Sequence, residues 1–358
     1  MVNVKQLQDI LKKKKIDLFL AVNLDFSRLE YNMAYFSGYG SVGILVVPKS
    51  KKPFLVVSGM EKERAEKSGF AVYCPPKGIR LSEYTKKILK KKGIKAKRIG
   101  IDKEEFSLAL KDVFYKAFKG RFVDLRKDLH KIREIKTEEE IRVIREGCKI
   151  SDKILGECFR VFHRFKTEMD VKNFLEIQAL KCGAEIAFPT IVASGKNARM
   201  AHYDSCDSKL MDGFCIIDYG IRYKNYCTDT TRTIYIGKPS LKDMEIYEML
   251  LTVQNNAIQR AKLGARCSAI YDSVVKDLGK YHKYFTHGLG HGFGIKVHEL
   301  PNLTLKSKDR IKDGAVFTVE PGVYLGNLGI RIEDDLLVWG SKVEVLTKVK
   351  KELVVIKR

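Results

Sequence analysis

Along the first 130 positions, apolar residues come in two textures. DLFLAV (17–22), VGILVV (42–47) and PFLVV (53–57) are short unbroken runs of strand length, the pattern of strands buried on both faces. MEKERAEK (60–67), SEYTKKILKKK (82–92) and EEFSLALKDVFYKAF (104–118) have helical spacing instead. The alternation predicts a small α/β domain over residues 1–130. Within it, YNMAYFSGYGSVG (31–43) is rich in aromatic residues and glycine. It reads as a bend, suited to a tight turn or a binding wall rather than to a helix.

The texture changes after KIREIKTEEE. Thr137 followed by Glu140 is a capping-box pattern, and the helical run EEEIRVIREGCKISDKILGECFRVF comes directly after it. A second helix is expected from Thr167 to about Cys182. Strand-and-turn segments follow: TIVAS, GFCIIDYG and YCTDTTRTIYIG. Two more helices, near 240–262 and 268–279, precede a strand-rich end in AVFTVEPG, GIRIEDDLLVW and ELVVIK. An α+β second domain is therefore predicted over 131–358, and 358 residues suffice for two cores.

Composition narrows the class. Apolar stretches such as GILVV (43–47) are far too short to cross a bilayer. MVNVKQLQDILKKKK has no apolar core followed by small residues, so it is not a secretory signal. A cytoplasmic protein is expected. The eight cysteines form no CxxC pair and read as reduced thiols, with Cys215 and Cys227 as small buried hydrophobes. The net charge of +23 is concentrated in residues 1–135, which hold 31 Lys and Arg against 15 Asp and Glu. The basic runs lack interleaved aromatics and Lys far outnumbers Arg, so they read as solvated helix faces rather than a nucleic-acid surface.

Five strings in the back half carry the chemistry: Asp218 in IIDYG, Asp229 in CTDTTRT, His291 in GLGHGFG, Glu320 in TVEPG and Glu333 in RIEDD. Two divalent cations bring about +4 against about −4 from four carboxylates, a balance that suits a dinuclear, water-activating site. The first inference is a metal-dependent hydrolase. Asp218 and Asp229 are eleven residues apart. A hairpin turning at Tyr223–Lys224 would set them directly opposite, with Cβ atoms about 4.5–5.5 Å apart. Pro321-Gly322 marks where the strand before Glu320 stops, and alternation puts Arg331, Glu333 and Asp335 on one face. HGLGHGFGIKVHELP gathers His287, His291 and His298 among alternating glycines that let the backbone bend and approach closely. Its spacing is not GxGxxG, which argues against a dinucleotide loop. His202 in MAHYD is a further candidate.

This order of motifs resembles the pita-bread metallopeptidases, the family of methionine aminopeptidase, aminopeptidase P and prolidase. AYFSGYGSVGILVV and IREIKTEEEI resemble the N-terminal domain and linker of its proline-specific branch, so the resemblance covers nearly the whole chain. It implies a creatinase-like α/β domain followed by an α+β pita-bread catalytic domain. It also implies two divalent ions per chain, Mn or Co ahead of Fe or Zn. In that family pattern Asp218 chelates one metal, Asp229 and Glu333 bridge both, and His291 with Glu320 completes a shell. Glu320 would act as general base toward a water between the metals. His298 would steady the oxyanion. His202 would serve catalysis and, with His287 and His298, line the substrate pocket. Arg331, also at that pocket, would orient Glu333.

The implied substrates are short proline-containing peptides, cut at the Xaa-Pro bond, a tertiary amide without N–H. A Xaa-Pro dipeptidase (prolidase) is expected, as a homodimer. The alternatives are an aminopeptidase P acting on longer peptides and, from another class, a catalytically weak binding protein on the same fold. Asn302 is a departure. Many archaeal-type prolidases carry there an Arg that helps hold the substrate carboxylate. Ala201 and Phe214 are smaller departures, where the family often has Pro and Asp.

Overall fold

The computed structural model describes residues 2–357. The chain divides into two units, Met1–Ile132 and Arg133–Arg358. The first is built on a six-stranded mixed sheet, ordered in space Ala71–Tyr73, Phe54–Val56, Gly43–Pro48, Leu18–Asn23, Arg98–Ile101 and Arg121–Asp124. The two-residue period of the strands divides their side chains between two cores. Leu18, Leu20, Val22, Ile44 and Val46 pack with Ile88, Leu89 and Phe114, contributed by the helices Leu81–Lys91 and Leu108–Phe118. Phe19, Ala21, Leu45 and Val47 pack on the other face with Leu7 and Leu11 of the helix Val2–Lys13 and Leu129 of the helix Arg126–Glu134. Lys86, Lys87 and Lys90 lie exposed on the outer side of their helix.

The segment expected to be a bend is a helix over Tyr31–Ser37. The Glu30 carboxylate accepts from the Met33 N–H at its start, and Gly38 closes it at φ 73. Met33 and Phe36 then bury into the core, Phe36 edge-on to Phe19. Burial of that apolar stripe outweighs the low helix propensity of a tyrosine- and phenylalanine-rich run. The predicted bend is confined to residues 38–42.

In the second unit the helices Glu138–Val161 and Glu168–Lys181 cover a four-stranded sheet. Its spatial order is Val355–Ile356, Thr230–Ile236, Gly213–Tyr219, Ile191–Ser194. The helices Leu241–Arg260 and Cys267–Asp277 share a core with a five-stranded sheet and with the hairpin Gly322–Leu325/Leu328–Arg331. The five strands are Glu299–Leu303, Gly290–Gly292, Val316–Val319, Asp334–Trp339 and Lys342–Val345. The Thr137/Glu140 capping box forms, and Thr167/Asp170 and Ser240/Asp243 repeat the device, so three helix starts are fixed by local chemistry. No described helix is long and apolar enough to cross a membrane. All eight cysteines are free, with Cys215 and Cys227 buried. Burial pushes the Cys227 thiol up to about 12, which leaves it inert.

The expected hairpin register is off by two. Asp218 pairs with Thr231, not Asp229. The chain turns at Lys224–Asn225, both at positive φ (47 and 72), closing a small hairpin in which Tyr223 faces Tyr226. Two consecutive left-handed residues make the tight turn whose twist matches the strands, and Asn tolerates that conformation well. A two-residue slip preserves the facing of side chains. Asp229 therefore lies diagonal to Asp218 rather than opposite it.

Candidate metal centre

The motif residues reach one cleft of about 620 Å³ from separate elements, all within Arg133–Arg358. Asp218 comes from the end of the strand Gly213–Tyr219, and Asp229 from just before Thr230–Ile236. His291 is the middle residue of the strand Gly290–Gly292, and Glu320 directly follows Val316–Val319. Glu333 sits where the chain passes from the hairpin strand Leu328–Arg331 to Asp334–Trp339. All five line the cleft, as do His202, His287, His298 and Arg331.

Close backbone approach sets the position of His291. A Cβ on Gly290 would meet the Thr318 carbonyl oxygen at 2.1 Å, and one on Gly292 the Leu300 oxygen at 2.0 Å. Only glycine fits on either side of the imidazole. The ring's Nδ1 is 3.2 Å from the Gly292 carbonyl oxygen. A carbonyl only accepts, so Nδ1 carries the proton and Nε2 is left as a lone pair. That lone pair faces Asp229 Oδ2 at 3.6 Å and Glu320 Oε1 at 3.5 Å.

One donor atom each from Asp229, His291 and Glu333 lies within 4.8 Å of the other two. Burial drives the Asp229 and Glu333 carboxyls well above the ordinary range. The neighbouring charges of Glu333 and Asp218 push Asp229 further, and those of Glu320 and Asp218 push Glu333. Glu320 rises to about 7, chiefly through burial, with Arg331 opposing. Burial also lowers His291 to about 4, with His298 adding to the effect. Asp218 Oδ1 is buried without a hydrogen-bond partner. Buried carboxylate oxygens gathered around an imidazole lone pair fit divalent cations.

The surrounding contacts correct one expectation. Arg331 does not grip Glu333. Its guanidinium donates to Asp218 Oδ2 (2.6 Å), Tyr324 Oη (2.7 Å), Thr231 Oγ1 (3.0 Å) and the Ala201 carbonyl (3.2 Å). Glu333 is held instead by the Thr231 hydroxyl at 2.7 Å, so the two share one threonine. Burial disfavours the Arg331 charge, but Tyr324, Asp218 and Glu320 together hold its pKa well above the usual guanidinium range. His287 lines the cleft, yet both of its nitrogens are committed within the protein. Nδ1 is 2.8 Å from the Gly288 carbonyl oxygen, and Nε2 accepts from the Tyr324 hydroxyl at 2.9 Å. His298 packs edge-on to His291, ring centres 4.3 Å apart. The next residue, Glu299, is clamped by buried Arg133 and Lys136, which ties the IREIK segment to the histidine loop.

Thr231, Thr318 and Tyr324 escaped the sequence reading, which placed Asp335 only on the face of Glu333. The Thr318 hydroxyl accepts from the His291 N–H and contacts Glu320, while Asp335 Oδ2 accepts from the Asp229 N–H. A signal existed for Thr231, which shares a strand face with Asp229 in CTDTTRT. None marked Tyr324, which meets His287 and Arg331 only in the folded chain.

Buried carboxylates that need cations, set in an open cleft, define a metal-dependent hydrolase. The chain belongs to metallopeptidase family M24, whose profile matches residues 142–339. Residues 3–135 match the creatinase/prolidase N-terminal domain. Membership implies divalent metal ions. The chain is 32% identical to the Xaa-Pro dipeptidase of Pyrococcus horikoshii, over 98% of each sequence. It superposes on the X-Pro aminopeptidase of Thermotoga maritima with a TM-score of 0.89 and 32% identity, covering 96% of this chain and 98% of that one. The prolidase of Pyrococcus horikoshii gives 0.88 and 30%, covering 99% and 100%. The fold is thus the expected pita-bread catalytic domain preceded by a creatinase-like domain.

Proposed function

We propose that this peptidase hydrolyses the Xaa-Pro bond of short peptides as a Xaa-Pro dipeptidase, with Asp218, Asp229, His291, Glu320 and Glu333 holding two divalent cations. The observation that carries the reading is the buried lone-pair cluster, in which the His291 Nε2 faces carboxylate oxygens. Manganese or cobalt suits the oxygen-rich donor set, with iron or zinc as tolerated substitutes. Bound cations supply Lewis acidity that polarises the scissile carbonyl and makes a water acidic.

The chain's own residues do the rest. Glu320, on the cleft wall, takes the proton from the attacking water and returns it to the departing proline nitrogen. His298 and His202, on the cleft wall, donate to the carbonyl oxygen as it gains charge. Arg331 holds Asp218 in place, and Thr231 orients Glu333. Phe188, Pro189, Ile191 and Val297 give the cleft an apolar side that suits a proline ring.

Assay of the manganese-loaded protein on Ala-Pro, Met-Pro, Ala-Ala and Arg-Pro-Pro tests the reading. Cleavage of the first two, with little on Ala-Ala, supports it. Rapid Arg-Pro-Pro turnover without dipeptide cleavage would make the protein an aminopeptidase P, an outcome that Asn302 in the cleft wall leaves sterically open. No proline-linked cleavage with any of the four metals would sink both. We read the protein as cytoplasmic, in keeping with eight free thiols, and as a homodimer, which light scattering would test.

A further inference from the structure

Five carboxylates line the cleft, Asp204 joining the four of the metal centre. Only two side chains there are lysine or arginine. Arg331 is fully engaged with Asp218, Tyr324, Thr231 and Ala201. Lys172 has no hydrogen-bond or ion-pair partner among the described residues, although it is only partly exposed. Its helix is firmly placed. One turn earlier, the buried Glu168 Oε1 accepts from the Ser194 N–H (2.7 Å), the Ser194 hydroxyl (2.8 Å) and Asn197 Nδ2 (3.1 Å). Those bonds pin the helix to the strand Ile191–Ser194 and hold Lys172 at the cleft. An ammonium without a counter-ion on the wall of the cleft is a docking point for an anionic group on the ligand. Thr190, whose buried hydroxyl also lacks a partner, lines the same cleft.

We propose that Lys172 receives the C-terminal carboxylate of the substrate. Lys172 then supplies the selection for dipeptides that the uncharged Asn302 cannot. This rests on the reading of the cleft as a site for short proline-linked peptides. A blocked C-terminus removes the charge, and each added residue carries it further from the lysine.

The test compares Ala-Pro with Ala-Pro amide on the wild type, Lys172→Gln and Lys172→Arg. For the wild type, KM is expected to be about tenfold lower for Ala-Pro than for its amide, the worth of one charge-assisted contact. Lys172→Gln raises KM for Ala-Pro by about the same factor, leaves kcat and the amide's KM unchanged, and Lys172→Arg restores the difference. Calorimetric titration of the metal-free protein with the same two ligands reads the preference without turnover. Equal effects on acid and amide, or no effect on either, overturn the role of Lys172. A Lys172-dependent carboxylate preference in binding, with no Xaa-Pro bond cleaved, overturns the assigned reaction instead.

Discussion

Without metal the acidic cluster should be a burden on the fold, and Glu320→Gln should relieve it. Burial raises the Glu320 pKa from 4.5 to about 7. Above pH 4.5 the unfolded chain releases this proton freely while the folded chain retains it. Stability is therefore full below pH 4.5 and is lost as pH rises through 7. A displacement of that size amounts to about 3 kcal/mol at neutral pH. Glutamine carries no charge to desolvate, although its unsatisfied amide costs about 1 kcal/mol. The net gain of about 2 kcal/mol corresponds to about 4–8 °C in Tm for a unit of this size. Scanning calorimetry in EDTA at pH 4.5 and pH 7.5 reads it directly. His287 and His291, held down to about 4 by burial, contribute the opposite slope below pH 6.5. The comparison is therefore variant against parent at each pH. The gap should be small or reversed at pH 4.5 and favour the variant at pH 7.5. A variant less stable than its parent at both pH values would refute the idea that the cluster is electrostatically frustrated without cations. In the metal-loaded enzyme the same change should lower kcat by about 100-fold or more, as loss of a general base does.

Other substitutions probe the supporting contacts. Arg331→Ala leaves the largely buried Asp218 carboxylate unpaired and should cost the metal-free protein about 3 kcal/mol in urea unfolding, with Arg331→Lys recovering part. Thr231→Val keeps the shape but removes the hydroxyl shared by Glu333 and Arg331. Chelator competition should then show Mn binding weakened about 10–100-fold. Gly292→Ala drives a Cβ to within 2.0 Å of the Leu300 oxygen and should cost more than about 4 kcal/mol, read by near-UV circular dichroism and thermal melts. Gly288→Ala, whose Cβ would meet the Thr304 methyl at 3.1 Å, should be far milder.

The contrast between what the sequence disclosed and what it hid follows the range of the forces involved. Thr137 and Glu140 announced a helix start because both halves of the cap lie within one turn. The five motif residues that the fold brings to one cleft stood out because each sits in a short string with its own turn or strand signal. The helix Tyr31–Ser37 was missed because its cap is Glu30, outside the usual capping residues, and its stabilisation comes from a core assembled from distant strands. The Asp218–Thr231 register depended on where two residues adopt positive φ, which residue spacing alone does not fix. Arg331 was placed on the face of Glu333 by alternation. Yet its planar fork could reach several acceptors, and the carboxylate it takes is Asp218, 113 residues away in sequence.

The central claim is that the lone-pair cluster exists to hold metal. Elemental analysis of Mn retained per chain after desalting tests it most directly, on the wild type and on Asp229→Asn. About two ions per chain in the wild type, falling to one or fewer in the variant, is the result predicted for a dinuclear site that Asp229 helps to hold. Fewer than one ion per chain in the wild type, or equal retention by both proteins, would contradict it.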